Sequence, residues 1–435
     1  MMPSTTPGVF GVIILLALLL MGMPIGVALG LVGVVGLSVV LGIEPALIKS
    51  GVIVFETLTR YELGTLPLFL LMAHLLSSAN ASRDFFDAAA RFIGHRRGGL
   101  AFASVGGCAA FGAINGSSLA TAATMGLVAL PEMRKRGYSG SFATGCVAAG
   151  GTLGQMIPPS GALIVFGIIA EQSIGKLFTA AIIPGLSQML LYFAVIWIVT
   201  TIRPKIAPPS ERYGWAERRR SLFRVIDVLL LVMLVIGGIA MGWVTPTEAA
   251  SIGACGALLI CAMRRQLSWK TLRTALEQTL ITSGLIYVVI IGSLIFSVFI
   301  SVTGLAETIA SSAAQTSLSP VLTLFLIALV LLLLGSVLDG LALMLLSTPI
   351  ILPIVTNLGL SPIWFGIFLV RAMEIGFIHP PIGLNLYVIH GIAKDVSLGR
   401  IFKGVLPFLA ADLFHLMTLI VFPATVLWLP QLIGT

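Results

Sequence analysis

The sequence is poor in charged residues, which make up only 10% of its 435 positions. Soluble domains carry about 25% charged residues, so a soluble globular protein is excluded. Its four cysteines lie in apolar segments without CxxC spacing, which favours buried apolar packing over a metal or redox site. The sequence also lacks a P-loop, a cluster of metal ligands and a nucleophile–base pair. These absences argue against ATP-driven transport by this chain and against an enzyme.

Long apolar runs dominate what remains. Hydrophobic residues account for 58% of the sequence, and runs of membrane-spanning length recur from Val9 to Leu429. Because a helix needs about 20 apolar residues to cross a bilayer, we predict an all-α, multi-pass membrane protein. Residues 8–42 form either one kinked span or two short ones. The net charge of +8 comes from short Lys/Arg clusters between spans, which is typical of orientation in a membrane and not of nucleic-acid binding.

The Lys/Arg clusters assign several connections to the cytoplasmic side. The clearest is the predicted cytoplasmic linker 203–224. The segment 98–134 has basic residues at both ends, yet two spans of about 20 residues plus a turn fit it only tightly. We therefore predict a re-entrant hairpin with its tip at Asn115–Ser118. The segment 319–357 has a similar pattern without basic flanks, so we expect it to enter from the opposite side.

Glycine and proline repeat at an offset of 222 residues. Gly154 matches Gly376, and Pro158-Pro159 matches Pro380-Pro381. Matched helix breaks in opposite orientations are typical of secondary transporters with inverted-topology repeats. The predicted repeats are 1–202, with hairpin 98–134 and broken helix 139–171, and 225–435, with hairpin 319–357 and broken helix 361–393.

The helix breaks are candidate ion and substrate sites. In hydrocarbon, irregular backbone persists only where protein or a wet cavity satisfies its polar groups. Half-helix N-termini suit an anionic substrate, and carbonyl-bearing C-terminal ends suit Na⁺. The side chains near the breaks supply oxygens and no thiols, which favours a hard cation. Any single Ser or Thr there has the alternative of a hydrogen bond to its own helix.

Ionisable residues inside the predicted spans are candidates for function. Asp339 lies at the tip of the second hairpin. Arg371 and Glu374 are three residues apart on one helix, where they either pair with each other or contact a substrate. His379 precedes the second Pro-Pro pair and is either a proton site or a hydrogen-bonded structural histidine.

At these motifs the sequence resembles the large membrane subunit of tripartite ATP-independent periplasmic (TRAP) transporters, the DctM type. The resemblance covers nearly the whole chain. A more distant similarity, in NGSSLATA…LP and GG…PP, is to sodium-coupled divalent-anion carriers. The most specific motifs are GSSLATAATMGLVALPEMRKRGY, GGTLGQMIPPS, LFTAAIIPGL, TPTEAA and EIGFIHPPIGLNLYV.

The resemblance implies an elevator-type transporter that couples Na⁺ to the import of an organic acid, such as sialic acid or a dicarboxylate, across the bacterial inner membrane. It also implies two protein partners, a small four-helix membrane subunit and a periplasmic substrate-binding protein that selects the substrate. The alternatives are a stand-alone Na⁺- or H⁺-coupled carboxylate carrier and, from another class, an intramembrane enzyme.

Carried over by position, the resemblance implies two sodium sites with the substrate between the two hairpin tips. This sequence departs from the family at His379, where Thr is commoner, and at Arg371, where the family usually has a neutral residue. The first predicted Na⁺ site comprises Asn115, Gly116, Ser117, Ser118, Gly151, Thr152, Gly154 and Pro158. The second comprises Gly335, Val337, Asp339, Gly340, Gly376, His379 and Pro380. The predicted substrate contacts are Ser160, Arg371, Glu374 and Asn385.

Overall fold

The computed structural model describes residues 5–315 and 319–433, which form α-helices and two short 3₁₀ helices, with no β-strand among them. The all-α prediction is therefore confirmed for these residues. The 3₁₀ helices are Tyr61–Gly64 and Pro204–Ile206. The α-helices in these ranges are α1 Thr6–Leu20, α2 Ile25–Leu41, α3 Ile43–Thr59, α4 Thr65–Ser78, α5 Ala81–Ile93, α6 Gly99–Asn115, α7 Ser118–Lys135, α8 Gly140–Met156, α9 Gly161–Ile169, α10 Ile174–Ile202, α11 Trp215–Phe223, α12 Ile226–Ala240, α13 Pro246–Met263, α14 Trp269–Val302, α15 Leu305–Gln315, α16 Pro320–Gly335, α17 Gly340–Asn357, α18 Pro362–Gly376, α19 Leu384–Ile392, α20 Leu398–Val421 and α21 Ala424–Ile433.

Several of these helices have the length and composition of membrane spans. In the described ranges, α10, α13, α14, α17 and α20 are each long and apolar enough to cross a bilayer. The number rises from five to eight if each of three bent helix pairs is one span, and α8 with α9 is such a pair, bent by 41°. Large apolar side chains such as Trp197 and Leu280 lie on the outer surface, where lipid would cover them. The chain is a multi-pass membrane protein.

The helix boundaries repeat along the chain. α7 and α17 both have 18 residues, and they begin 222 positions apart at Ser118 and Gly340. α8 and α18 begin at the same offset, at Gly140 and Pro362. The two halves differ in the helices that precede each hairpin. The first half has the separate helices α3 and α4, whereas the second half has the single 34-residue helix α14. Near the N-terminus, α1 and α2 are two helices and not one kinked helix.

Helix packing divides the described elements into two groups. In one, α2 packs along α14 and α4 along α13, with α1, α3 and α12 beside them. In the other, α8 contacts α6, α7, α18 and α20, and α19 packs on α7. A Cβ added to Gly26 would lie 2.8 Å from the Val288 carbonyl oxygen, so α2 and α14 approach closely because glycine permits it. Each group therefore contains helices from both halves of the sequence.

The two ends of the α6–α7 hairpin lie at one face of the molecule. The Gly98 N–H donates to the Ala207 carbonyl oxygen at 3.1 Å, just before α6 begins. Just after α7 ends, Arg136 Nη1 lies 3.2 Å from Glu211 Oε1. Both partners belong to the segment between α10 and α11. The hairpin therefore enters and leaves the helical bundle on the side of this basic segment.

Candidate functional site

The first hairpin tip is shaped by a glycine and a serine. Gly116, between α6 and α7, has φ of 61°, a left-handed conformation that favours glycine. Ser117 Oγ accepts a hydrogen bond from the Ala120 N–H at 3.4 Å and so caps the N-terminus of α7. The Gly116 carbonyl oxygen accepts from the Gly161 N–H at 3.3 Å. The tip is thereby joined to the break between α8 and α9.

The α8–α9 break lies directly against this tip. Its Pro158-Pro159 peptide bond is cis, as is the Pro380-Pro381 bond of the second half. Ser160 Oγ accepts from the Leu163 N–H at 3.4 Å and caps α9. A Cβ added to Gly154 would lie 2.8 Å from the Ser117 carbonyl oxygen, so the approach of α8 to the tip requires glycine here. The structure therefore places Gly154 and the α8–α9 break, which belong to the first predicted Na⁺ site, against Asn115–Ser118.

The second tip lies against the C-terminal end of α18 in a similar way. A Cβ added to Gly376 would lie 2.6 Å from the Gly335 carbonyl oxygen. Asp339 Oδ1 accepts from the Ala342 N–H at 3.1 Å and caps α17. Val337 is 51% exposed, whereas Asn115, its counterpart at the 222-residue offset, is half-buried. Gly335 and Gly376 of the second predicted site thus come together, at a tip that is more open than the first.

His379, beside the second Pro-Pro pair, does not fit the interpretation of a hydrogen-bonded structural histidine. Its Nδ1 atom is buried and has no hydrogen-bond partner among the described residues. Two other histidines do form side-chain hydrogen bonds: His415 Nε2 lies 2.8 Å from Ser187 Oγ, and His390 Nδ1 lies 3.0 Å from the Val396 carbonyl oxygen.

Asn385 connects the two halves of the site. It lies in the first turn of α19, just after the second Pro-Pro pair, and is fully buried. Its Nδ2 donates to Ser118 Oγ at 3.0 Å and to the Ala148 carbonyl oxygen at 3.1 Å. The second broken helix therefore contacts both the first tip and α8.

The predicted pairing of Arg371 with Glu374 is wrong. Arg371 Nη2 instead forms a salt bridge with Asp412 Oδ1 of α20, and the two side chains are 0% and 1% exposed. The physical reason is that the long Arg371 side chain reaches the neighbouring helix, where a buried carboxylate requires a counter-charge. Arg371 is thus already neutralised within the protein.

A polar network links this ion pair to Thr152 of the first predicted Na⁺ site. Asp412 Oδ2 accepts from the Tyr192 hydroxyl at 2.8 Å, and that hydroxyl lies 2.8 Å from Thr152 Oγ1. Gln188 Nε2 donates to Thr152 Oγ1 at 2.9 Å and to the Tyr192 hydroxyl oxygen at 3.1 Å. The Thr152 side chain, which was predicted to face the cation, is therefore engaged with α10. Only the backbone of Thr152 remains for a cation at the break.

Sequence reasoning missed three members of this network, namely Gln188, Tyr192 and Asp412. The sequence alone could have indicated one of them, Asp412. Asp412 is a carboxylate inside a predicted apolar span, and such residues are functional candidates by default. Gln188 and Tyr192 had none, because their importance depends on which helices pack against α10.

Two half-helices present their N-termini at the site, and these ends are suited to anions. α9 begins beside the first tip and is capped by Ser160, whereas α19 begins just before Asn385. Helix N-termini carry partial positive charge and free N–H donors. The described residues contain no group of three or more His, Cys, Asp or Glu side chains close enough to hold a metal ion. A cation here would therefore rely mainly on backbone and neutral oxygens.

Comparison with known proteins gives one family. Residues 12–425 match the family described as "Tripartite ATP-independent periplasmic transporter, DctM component". The chain is 36% identical over 407 residues to the C4-dicarboxylate TRAP transporter large permease protein DctM of Pseudomonas aeruginosa, covering 92% of this chain and 94% of that protein. It is 30% identical over 418 residues to the sialic acid TRAP transporter large permease protein SiaM of Vibrio cholerae, covering 96% and 97%.

A solved transporter structure shares the fold. The YdaH transporter of Alcanivorax borkumensis aligns with a TM-score of 0.57 over 86% of this chain and 88% of that chain, at 16% sequence identity. At that identity the likeness concerns the fold alone.

Proposed function

This chain belongs to the DctM family, the large permease subunits of TRAP transporters, and from that premise we propose that it couples import of a carboxylate to Na⁺. It is a transporter subunit and not an enzyme. The observation that carries the proposal is the convergence of two hairpin tips and two broken helices, which Asn385 joins through Ser118. Discontinuous helices that meet at a repeat interface are the usual site of substrate and coupling ions in secondary transporters.

Each proposed Na⁺ site combines a hairpin tip with the carbonyl end of a broken helix. The first comprises Asn115–Ser118 with Gly151–Pro158, and the second comprises Gly335–Gly340 with Gly376–Pro380. α8 and α18 end at these breaks, so their last carbonyl groups lack helical partners there. Hard cations bind such oxygens.

The proposed substrate lies between the tips and carries a carboxylate. The N-termini of α9 and α19, with the Ser160 hydroxyl, offer donors to an anion, whereas Asn385 Nδ2 already donates to Ser118 and Ala148. Arg371 acts on the substrate only indirectly, because Asp412 already neutralises it. The relatives named above act on C4-dicarboxylates and sialic acid, which share a carboxylate.

Transport is proposed to follow an elevator mechanism in a bacterial inner membrane. The repeats 1–202 and 225–435 are inverted, and the group of helices around α8 moves against the group around α2 and α14. A small four-helix membrane subunit completes the permease, and a periplasmic binding protein delivers and selects the substrate. The two groups of helices seen in the packing support this division.

Reconstitution tests the proposal. Liposomes containing this chain, its small subunit and binding protein are expected to accumulate radiolabelled succinate or sialic acid under a Na⁺ gradient. Accumulation by this chain alone would instead favour the stand-alone carrier.

The sites are tested in the same liposomes with Ser117→Ala and Asp339→Ala. Both substitutions should raise the Na⁺ concentration needed for half-maximal uptake. Ser38→Ala is the control, because the Ser38 hydroxyl donates only to the Val34 carbonyl oxygen of its own helix. Normal Na⁺ activation in both site variants would contradict the assignment.

A further inference from the structure

Three ionisable side chains are fully buried near the junction of the two halves, and their charges do not cancel. Arg371 is paired with Asp412 by a salt bridge. Glu374 lies one turn from Arg371 on α18 and is 0% exposed. Neither of its carboxylate oxygens has a hydrogen-bond partner among the described residues. A buried carboxylate without a hydrogen-bond partner is strongly unfavourable, and the nearby Arg371 is already paired with Asp412, so the three side chains together retain one negative charge.

Ser118 links this carboxylate to the side chain of Asn385. The Ser118 hydroxyl lies near Glu374, outside hydrogen-bond geometry, and accepts the hydrogen bond from Asn385 Nδ2. The same Nδ2 donates to the Ala148 carbonyl oxygen. This bond fixes the orientation of the amide, because a flipped amide would place Asn385 Oδ1 against the Ala148 carbonyl oxygen. Asn385 Oδ1 is consequently left buried without a partner, as is Thr121 Oγ1, one turn from Ser118 on α7.

The chemistry of this cluster favours a small monovalent cation. A proton would supply a single O–H donor, which can satisfy at most one further oxygen, whereas a coordinated ion satisfies several oxygens at once. Ca²⁺ takes six to eight oxygen ligands and commonly several carboxylates, while this cluster has one carboxylate. Neutral oxygens with a single carboxylate match Na⁺ in hardness and charge.

We propose that Glu374 and Asn385, together with Ser118 of the first hairpin tip, form an additional Na⁺ site at the junction that adjoins the site at that tip. This inference rests on the proposed Na⁺ coupling and deepens it. It also reassigns Glu374 from substrate to cation, since a negative side chain would repel a carboxylate. The three residues lie on α18, α7 and α19, so the ion binds only while the first tip is docked on the second broken helix.

Direct binding of ²²Na⁺ tests the site. The chain, purified with its small subunit and inserted in nanodiscs, is compared with Glu374→Gln and Glu374→Asp. The Gln variant is expected to bind one Na⁺ fewer per chain at saturation. The Asp variant keeps the charge on a shorter side chain, so it should keep the number of ions with about tenfold weaker affinity and an altered Li⁺/Na⁺ preference. Glu171→Gln, which removes a carboxylate that is 71% exposed, should bind as wild type does.

Several outcomes would overturn the site. If Glu374→Gln binds the same number of Na⁺ ions with the same affinity, the site is refuted. If the number is unchanged but uptake loses its pH dependence, Glu374 binds a proton instead, and the site is again refuted. If size-exclusion chromatography shows that the Gln variant does not fold, the Asp variant decides, and an unchanged affinity and Li⁺/Na⁺ preference refutes the site.

The same measurements distinguish failure of the additional site from failure of the proposed Na⁺ coupling. If Ser117→Ala and Asp339→Ala weaken Na⁺ binding while both Glu374 variants do not, Na⁺ coupling stands and this additional site does not. If the wild-type protein binds no ²²Na⁺, both proposals fall.

Discussion

The ion pair between Arg371 and Asp412 gives a quantitative expectation for stability. Asp412→Asn removes the carboxylate that is hydrogen-bonded to a fully buried guanidinium. Breaking one side of a buried pair costs about 3–5 kcal/mol because the remaining charge stays in the interior without its partner. Glu374, one turn from Arg371, offers a second carboxylate and shifts the expected loss to the lower end of that range.

Tyr192→Phe provides the second arm of a double-mutant cycle. It removes the hydroxyl that donates to Asp412 Oδ2 at 2.8 Å, a hydrogen bond to a charged group worth about 1.5–3 kcal/mol. Both substitutions act on the same carboxylate, so the double variant should lose less than the sum of the two. The expected coupling is about 0.5–3 kcal/mol.

Unfolding in mixed micelles, followed by tryptophan fluorescence, measures these losses. Trp364 is a suitable probe, because it is fully buried on α18 and its Nε1 donates to the Leu419 carbonyl oxygen at 3.0 Å. Glu277→Gln is the control, since its pair with Arg273 lies on the surface and should contribute nothing measurable. Wild-type stability of Asp412→Asn, or strictly additive losses in the double variant, would refute the reasoning.

Gly154→Ala should abolish uptake, because the added methyl group would clash with the Ser117 carbonyl oxygen and separate α8 from the first tip. The control is Gly284→Ala, which should transport normally because the space around Gly284 is open. Normal uptake by Gly154→Ala would contradict this packing. Arg264→Ala should lower the free energy of unfolding by about 2 kcal/mol. Its guanidinium bonds Asp84 at 2.8 Å and Asp227 at 2.7 Å, and an unchanged unfolding midpoint would contradict that role.

The helix breaks could be predicted from sequence because their causes are local. Glycine and proline act on their own backbone, so matched residues such as Gly154 and Gly376 indicate where helices must open. The repeat offset transferred this information from one half of the chain to the other. The start of α17 at Gly340 follows from that of α7 at Ser118 for this reason.

The side-chain partners could not be predicted in the same way. Arg371 and Glu374 are neighbours on one helix, and sequence spacing favours their pairing, yet Arg371 bonds Asp412 forty-one residues away. Thr152 lies near a break in sequence, but its hydroxyl is directed toward Tyr192 on another helix. Both outcomes depend on how α8, α10, α18 and α20 pack, and no local pattern contains that information.

The uninterrupted helix α14 has a consequence for the surrounding lipid. Its 34 residues extend about 51 Å at 1.5 Å per residue, whereas the hydrocarbon core of a bilayer is about 30 Å thick. The excess length must project from the membrane or be absorbed by tilting. Because α2 packs on α14 with backbones in close approach, a thinner bilayer would tilt the two helices together. The thickness of the host membrane would thus set the tilt of α2 and α14 relative to the group of helices around α8, which holds the proposed substrate site.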